Sequence, residues 1–562
     1  MPSNTTRQCR ACLKRRFNAF LSKSPRSRCG NGMMSQRASS GKGEAKVTRG
    51  NTPTFIELFA GCGGLSLGLR SSGFQEVMAN ELSSMPAETF ALNLMNVDMR
   101  SPEFQATKPE NRKVLWIDPS SDDVSERLVD NPFERPETDM PELSGIDDFE
   151  GKLVVGDIRR LNTFIEKRGS ALIHGEVDLV SGGPPCQSFS LAGRRELGNQ
   201  RNQLPWEFAK FVDSQRPRIV LLENVEGILR PFKQDGETYY AWFEVCKAFA
   251  NIGYVTCPML VNARLAGVAQ NRPRFIMLAI REDLADNLPD SVAAWFAQGH
   301  RLIDTIKAGN PVFDKEKWRY WNLTDSDADK AEGTVFDPLV AFRDSGRQRT
   351  VYDAIRDLQD ENPPTRSKYV REINSTLGAY LDGGSKKMQN LKHPNSTPKV
   401  QARFRIYQVI ANSPKSVGDE IKKIMRKQKT DISEETYETL LRSDLLGYGN
   451  GIPETPEQMV HYLEGMATRK FSQRALISTL PAPAALSIPD DVAHYCEPRT
   501  LSVREMARIQ SFPDSFEFRG IATTGGERRR YQVPQYTQIG NAVPPLLGRA
   551  LGKVVSSILA LL

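Results

Sequence analysis

Cysteine is scarce in this chain, with eight residues among 562, at positions 9, 12, 29, 62, 186, 246, 257 and 496 and with no repeated spacing. That excludes a disulfide framework and predicts reduced thiols in an intracellular protein. Cys9 and Cys12 stand in a Cys-x-x-Cys pair with Cys29 beyond, but a correctly spaced fourth ligand is missing, so no metal site is expected. Long apolar runs are missing too: the longest, such as Ile219 to Leu222 and Phe275 to Ile280, have the length of strands, and no N-terminal stretch has the form of a secretory signal. A soluble, cytoplasmic chain with no membrane partner is the expectation. Net charge is only +7, but it is uneven. Residues 1–50 carry twelve Lys/Arg against the single acid Glu44, while the remainder sums to −4. Such a tail is expected to be solvated and disordered, with weak attraction for nucleic acid as a secondary role; Met33 and Met34 are alternative starts within it.

At 562 residues the chain has room for two or three domains. The stretch Ser181-Gly-Gly-Pro-Pro-Cys186-Gln-Ser-Phe-Ser190 organises the rest. It follows Val177 to Val180, a short buried strand, and its glycines and prolines continue neither strand nor helix. Cys186 therefore sits on a stiff loop at a strand's carboxyl end, the edge at which open α/β sheets bind ligands. A lone intracellular cysteine is more often a buried structural one, and only its neighbours argue otherwise.

Those neighbours come in order along the chain. Thr54 to Phe59 reads as a strand, followed by the turn Ala60-Gly61-Cys62-Gly63-Gly64 and a helix beginning near Leu65. A second strand around Val77 leads to Glu81, twenty residues beyond Gly61, where an acid bonds ribose hydroxyls in nucleotide-binding units. The third glycine of the dinucleotide pattern is absent, which argues against a pyrophosphate. Residues 101–150 hold fourteen acids against five Lys/Arg and read as a surface insert too acidic to lie against a polyanion. The alternation resumes at Leu153 to Ile158, with Asp157 at the strand's end. Arg218 to Val225 is another buried strand ending in Glu223, on the same carboxyl edge as Cys186. Gly267 to Arg274 leads into Phe275 to Ile280, and the alternation of Arg272 with Arg274 predicts that both point into one cleft. From about 300 to 490 the alternation stops, and residues 366–429 carry fifteen Lys/Arg against four acids, the footprint expected of a phosphate-binding surface. Arg499 to Pro513 reads as an amphipathic helix with a Ser502/Glu505 capping box. Gln538 to Pro545 opens the last helix.

Taken together, Phe55 to Gly64, Gly156-Asp157-Ile158, Pro184-Pro185-Cys186-Gln187-Ser188, Arg201 to Leu204, Glu223-Asn224-Val225, Gln270 to Arg274, and Gln538 to Pro545 resemble, in order, the motifs of the DNA cytosine-5 methyltransferases. The family's usual proline is replaced by Ala269. The resemblance implies an α/β, Rossmann-like S-adenosylmethionine-dependent methyltransferase fold, a mostly parallel doubly wound sheet with a second, smaller, irregular target-recognition domain. It implies the tail at 1–50, a catalytic domain at 51–300 containing the insert 101–150, target recognition at 301–495, and at 496–562 a helix and a segment returning to the catalytic domain. S-Adenosylmethionine is the implied methyl donor, held by Phe59, Gly61, Gly63, Gly64, Leu65, Glu81, Asp157, Ile158 and the backbone of Asn541, Ala542 and Val543. The implied catalytic residues are Cys186 as nucleophile at C6 of a flipped-out cytosine, Glu223 as proton donor to N3, Arg274 at O2 and Arg272 assisting. Duplex DNA is the implied partner, with a cognate restriction endonuclease acting separately, as for stand-alone enzymes of bacterial restriction–modification systems, and a monomer is expected. Two alternatives are an RNA cytosine methyltransferase on the same fold and a catalytically inactive DNA-binding regulator; the basic block weighs against the first and the intact Cys186, Glu223 and Arg274 against the second.

Overall fold

The chain divides into two units, residues 1–51 and 52–562. The computed structural model describes residues 52–185, 203–234, 237–309, 311–449, 451–468, 470, 472–485 and 489–562, so the basic tail and Cys186 lie outside the described residues.

The second unit is built on β1 (Thr54–Leu58), α1 (Gly64–Arg70), β2 (Gln75–Glu81), α2 (Ser84–Met95), β3 (Val114–Trp116), β4 (Lys152–Val155), α3 (Ile158–Arg168), β5 (Leu179–Gly182), α4 (Leu204–Gln215), β6 (Ile219–Val225), α5 (Ala241–Asn251), β7 (Tyr254–Asn262), β8 (Pro273–Arg281), α6 (Asp290–Ala308) and β9 (Trp321–Asn322). Among the described residues these strands form one nine-stranded sheet in the order β9-β7-β8-β6-β5-β1-β2-β4-β3. Pairing is parallel except for β8, which runs antiparallel to β6 and β7. A parallel sheet must be covered on both faces, which is why Ile219, Val220, Leu221 and Leu222 are all fully buried. From β1 the chain passes to β2 on one side, and β5 later returns to pair on the other. That reversal opens a crevice beyond the carboxyl ends of β1 and β5, the switch point at which open α/β sheets hold ligands.

Much of the acidic segment is exposed, but a short part of it joins the sheet. Val114, Leu115 and Trp116 are fully buried as β3, paired in parallel with β4 at the sheet's edge. Glu142 is drawn inside with them, its Oε2 accepting from the Trp116 N–H at 2.8 Å and its Oε1 from Arg127 at 2.6 Å. The many acids around it hid a three-residue apolar run, which is all an edge strand needs.

Between 301 and 495 the strand-helix alternation does stop, but the expected irregular region is in large part helical: α7 (Lys368–Leu377), α8 (Pro398–Asn412), α9 (Lys415–Met425), α10 (Glu434–Leu441) and α11 (Pro456–Gly465). The spacing Val417, Ile421, Ile424 puts one apolar stripe on α9, leaving Lys423 and Arg426 exposed. That stripe joins Phe404, Ile406, Tyr462 and Leu463 in a core of the block's own. A second core links α2 through Phe90 and Leu94 to Tyr369, Phe512, Phe516 and Ile539, and so ties the block and the C-terminal segment to the sheet. In that segment α12 (Val503–Ile509) begins with the expected Ser502/Glu505 capping box, followed by α13 (Gln535–Asn541) and α14 (Pro545–Leu559). The last helix packs on α1.

Candidate active site

At the end of β1 the chain must turn sharply, and it does so with Phe59, Gly61 and Gly63 at φ 56°, 56° and 91°. Phe59 is not a glycine, so its left-handed backbone is a strained choice; its ring is half-buried, edge-on to Phe208 at 6.4 Å. Glu81 at the end of β2 closes the turn: Oε2 accepts from the Gly61 N–H and Oε1 from the Ser83 N–H, both at 2.9 Å. Burial raises its carboxyl pKa against those bonds. Gly64 lies so close to the C-terminal segment that a Cβ there would sit 2.3 Å from the Val543 carbonyl oxygen. The structure thus brings Phe59, Gly61, Gly63, Gly64, Glu81, Ala542 and Val543 around one crevice. Leu65 and Ile158, by contrast, are buried in the core, which leaves only their backbones for a ligand. Asp157 caps α3 through the Arg159 N–H at 2.8 Å and is also paired with the Arg159 guanidinium, and Asn541 is exposed. The donor set is one carboxylate, backbone groups and an aromatic ring with no Lys or Arg in the turn, which fits a nucleoside joined to a non-phosphate group.

On the other side of the crevice, β5 runs out through Gly183, Pro184 and Pro185 toward the segment holding Cys186. A Cβ on Gly183 would come within 2.9 Å of Glu223 Oε2, so the loop passes close beside this carboxyl. Asn224 Nδ2 donates to the Pro184 carbonyl at 2.9 Å and anchors the loop's entrance. This anchoring role was not expected of Asn224; its position beside Glu223 at a strand's end was the available signal.

Glu223 and Arg274 reach each other diagonally across β6 and β8, where Arg274 opposes Val225 and Ile276 opposes Glu223. Arg274 Nε lies 2.8 Å from Glu223 Oε1, and both side chains are nearly buried. Burial raises the Glu223 carboxyl pKa, with Arg274 and then Arg272 acting against it; burial likewise lowers both guanidinium pKa values, that of Arg272 the more. The two arginines do not point together as strand alternation predicted, because β8 begins only at Pro273. Arg272 Nη2 instead donates to the carbonyls of Gly540 at 2.7 Å and Ala542 at 3.2 Å, and Nη1 to that of Ala485 at 3.4 Å. It ties the catalytic edge to the C-terminal segment while staying close enough to Glu223 to feel its charge.

A buried acid pair also escaped the sequence. The Ser66 hydroxyl, on α1, contacts Glu57 on β1 and, at 2.7 Å, Glu76 on β2. One hydroxyl has one hydrogen, so two carboxyl groups on it require that at least one carry a proton. Burial accordingly pushes Glu57 well above the ordinary carboxyl range and Glu76 up to about 7, Arg70 opposing the latter.

Residues 53–114 and 147–557 match the model of the C-5 cytosine-specific DNA methylase family. The chain belongs to this family. It is a DNA (cytosine-5)-methyltransferase, and the stretch its match leaves out, 115–146, covers most of the acidic segment. Similar relatives include the type II methyltransferases M.DdeI of Desulfomicrobium norvegicum, 24% identical over 502 residues with 89% of this chain and 88% of that one covered, and M.AgeI of Thalassovita gelatinovora, 27% identical over 533 residues with 89% and 98% covered. The DNA (cytosine-5)-methyltransferase 3 of Arabidopsis thaliana is 24% identical over 532 residues, 92% of this chain but 31% of the plant protein. Among the described residues of the methyltransferase, no single helix is long and apolar enough to cross a membrane.

Proposed function

We propose that the enzyme methylates C5 of a cytosine flipped out of duplex DNA, by covalent catalysis through Cys186. C5 is a poor nucleophile. Addition of the Cys186 thiolate to C6 forms an S–C6 bond and moves the C5–C6 π pair so that C5 becomes enamine-like, which splits one hard step into two easier ones. Charge develops on N3 and O2; Glu223 delivers a proton to N3, and Arg274 donates to O2. Once C5 has gained its methyl group, the donor's sulfur leaving as a neutral thioether, loss of the C5 proton to a water and cleavage of S–C6 regenerate the thiolate, and N3 returns its proton to Glu223. S-Adenosylmethionine, when bound, supplies an electrophilic methyl group; Phe59, the Gly61–Gly64 turn, Glu81 and the backbone of Ala542 and Val543 would hold it. Arg272 is a positioning residue in this scheme, holding Gly540 and Ala542 against the catalytic edge. The reacting face of a base is inside the duplex, so the base must leave the stack.

The observation that carries this reading is the Glu223–Arg274 pair beside Gly183, because burial favours a neutral Glu223, the protonation state a donor to N3 needs. Duplex DNA carrying 5-fluorocytosine tests it, since fluorine blocks the final elimination. A stable adduct mapping to Cys186, and its absence in Cys186→Ala, is expected. An adduct on another residue, or normal turnover by Cys186→Ala, would remove Cys186 from the mechanism.

A further inference from the structure

Arginines around the C-terminal segment are mostly consumed inside the protein. Arg504 donates to the carbonyls of Gln389, Pro513 and Phe516, Arg508 pairs with Asp357 and Asp514, and Arg519 pairs with Asp98 and Glu517. The loop between Gly520 and α13 is different. Its run Thr523-Thr524-Gly525-Gly526-Glu527-Arg528-Arg529-Arg530 presents three exposed guanidinium groups, and none has an acidic partner among the described residues. The loop is nonetheless fixed at its base. The Gln535 N–H donates to the Ile521 carbonyl at 3.0 Å, Gln535 Nε2 to Gly520 at 2.9 Å, and the Thr524 hydroxyl to Gln532 Oε1 at 2.8 Å. Arg529 Nε donates to the Thr524 carbonyl at 2.9 Å, which closes the loop on itself and leaves the rest of its guanidinium pointing away from that bond. Nothing lies within 4 Å of where a Cβ on Gly525 or Gly526 would stand, so the backbone there is open to a large partner.

The same base holds a second basic stretch. Asn390 Nδ2 donates to the Phe518 carbonyl at 3.0 Å and to Gln535 Oε1 at 3.3 Å, and the Ser385 N–H donates to the Ser515 carbonyl at 3.0 Å. Lys386, Lys387 and Lys392 of that stretch are exposed and also without an acidic partner among the described residues. Six uncompensated cations therefore share one scaffold, three from the block at 301–495 and three from a segment outside it. Exposed arginines set on a closed loop lose little further freedom on binding, and a fork of guanidinium groups matches phosphate oxygens.

We propose that Arg528, Arg529 and Arg530 form, with the lysines at 386, 387 and 392, a clamp for the DNA phosphate backbone that fixes the duplex without reading its sequence. This rests on DNA as the substrate, and its test separates the two ideas. The full-length enzyme binds duplex DNA, with and without its target site, across a range of salt concentrations, alongside the triple variants R528Q/R529Q/R530Q and K386Q/K387Q/K392Q. All the changed side chains are exposed, and an unaltered melting temperature verifies that each variant folds. Each set is expected to lower the slope of log K against log salt, by about 0.9 for every phosphate no longer neutralised, and to weaken binding to target and non-target duplex by the same factor. Wild-type slope and Kd in the arginine variant would overturn the clamp while leaving DNA as substrate intact. Loss of target binding alone would overturn it too, by making the loop a reader of bases. Absence of any salt-dependent duplex binding by the wild type would overturn both.

Discussion

Two buried glutamates in this methyltransferase each face an arginine, yet they are shifted in opposite directions. Glu505, at the start of α12, accepts from Arg499 through both oxygens at 2.8 and 2.9 Å, takes the Ser502 N–H at 2.7 Å, and has His494 Nε2 at 3.5 Å. These partners outweigh its burial and hold its carboxyl below the usual range, while the same burial pushes His494 down to about 4. Glu223 is slightly less enclosed than the fully buried Glu505, but the described residues offer it one side-chain hydrogen bond, from Arg274, and burial wins. A carboxylate with its lone pairs filled is locked in its charged form and serves the fold. One left partly unfilled has its pKa raised by burial, the direction that a proton donor requires. The cluster of His494, Glu497 and Glu505 has the spacing of a metal site, but Arg499 already pairs with both acids, so the cluster reads as structure.

The sharpest way to break this contrast is to change each acid in turn. Glu223→Gln is expected to lower the single-turnover rate by roughly a factor of 10² to 10⁴, since an amide can orient the base edge but not protonate N3, while the melting temperature stays near wild type. An unchanged rate would mean that N3 receives its proton from elsewhere. Glu505→Ala should act on stability instead, because it removes the two-oxygen contact of Arg499 and the capping bond to Ser502 and leaves Glu497 as the remaining close partner of Arg499; a loss of about 3 kcal/mol is expected in urea unfolding. A midpoint equal to wild type would show that water reaches Arg499 and that the pair is not a structural lock.

A smaller effect is expected from pH. Glu76 behaves like Glu223: its folded pKa of about 7 lies above the ordinary 4.5, so the folded state prefers it protonated. The stability it contributes is complete below pH 4.5 and is lost as pH rises to about 7, by about 3 kcal/mol in all. Glu505, with a lowered pKa, has the opposite sign and loses its contribution as pH falls. Comparing urea midpoints of wild type and Glu76→Gln from pH 5 to 8 isolates the first term. The wild type should lose ground to the variant as pH increases; parallel curves would show that Ser66 and Arg70 together satisfy an ionised Glu76.

Much of the sheet was legible because its strands are short apolar runs punctuated by glycine and proline. Gly61 to Gly64, Glu81 and Glu223 could be placed at strand ends on that basis alone. The sheet's edge was not legible at β3, where charge dominates composition and only three residues carry the signal. Nor were the helices from 368 to 465 expected, since their dense positive charge masks apolar stripes such as Val417, Ile421 and Ile424.

Residue order along the chain thus determined which chemistry is available: a thiol next to two prolines, an acid near the end of β6, an arginine entering β8 and a glycine turn after β1. Those are local properties, fixed by neighbours a few positions away. Tertiary structure alone decided how they are used. Arg272 and Arg274 are two residues apart, yet one reaches Gly540 and Ala542 and the other Glu223, because a strand begins between them. Glu223 and Glu505 are the same side chain, but Arg499 and Ser502, a few residues away, fill the oxygens of Glu505, whereas Glu223 meets Arg274 only across the sheet. Burial and such cross-strand partners are set by the whole fold, and no window of sequence contains them.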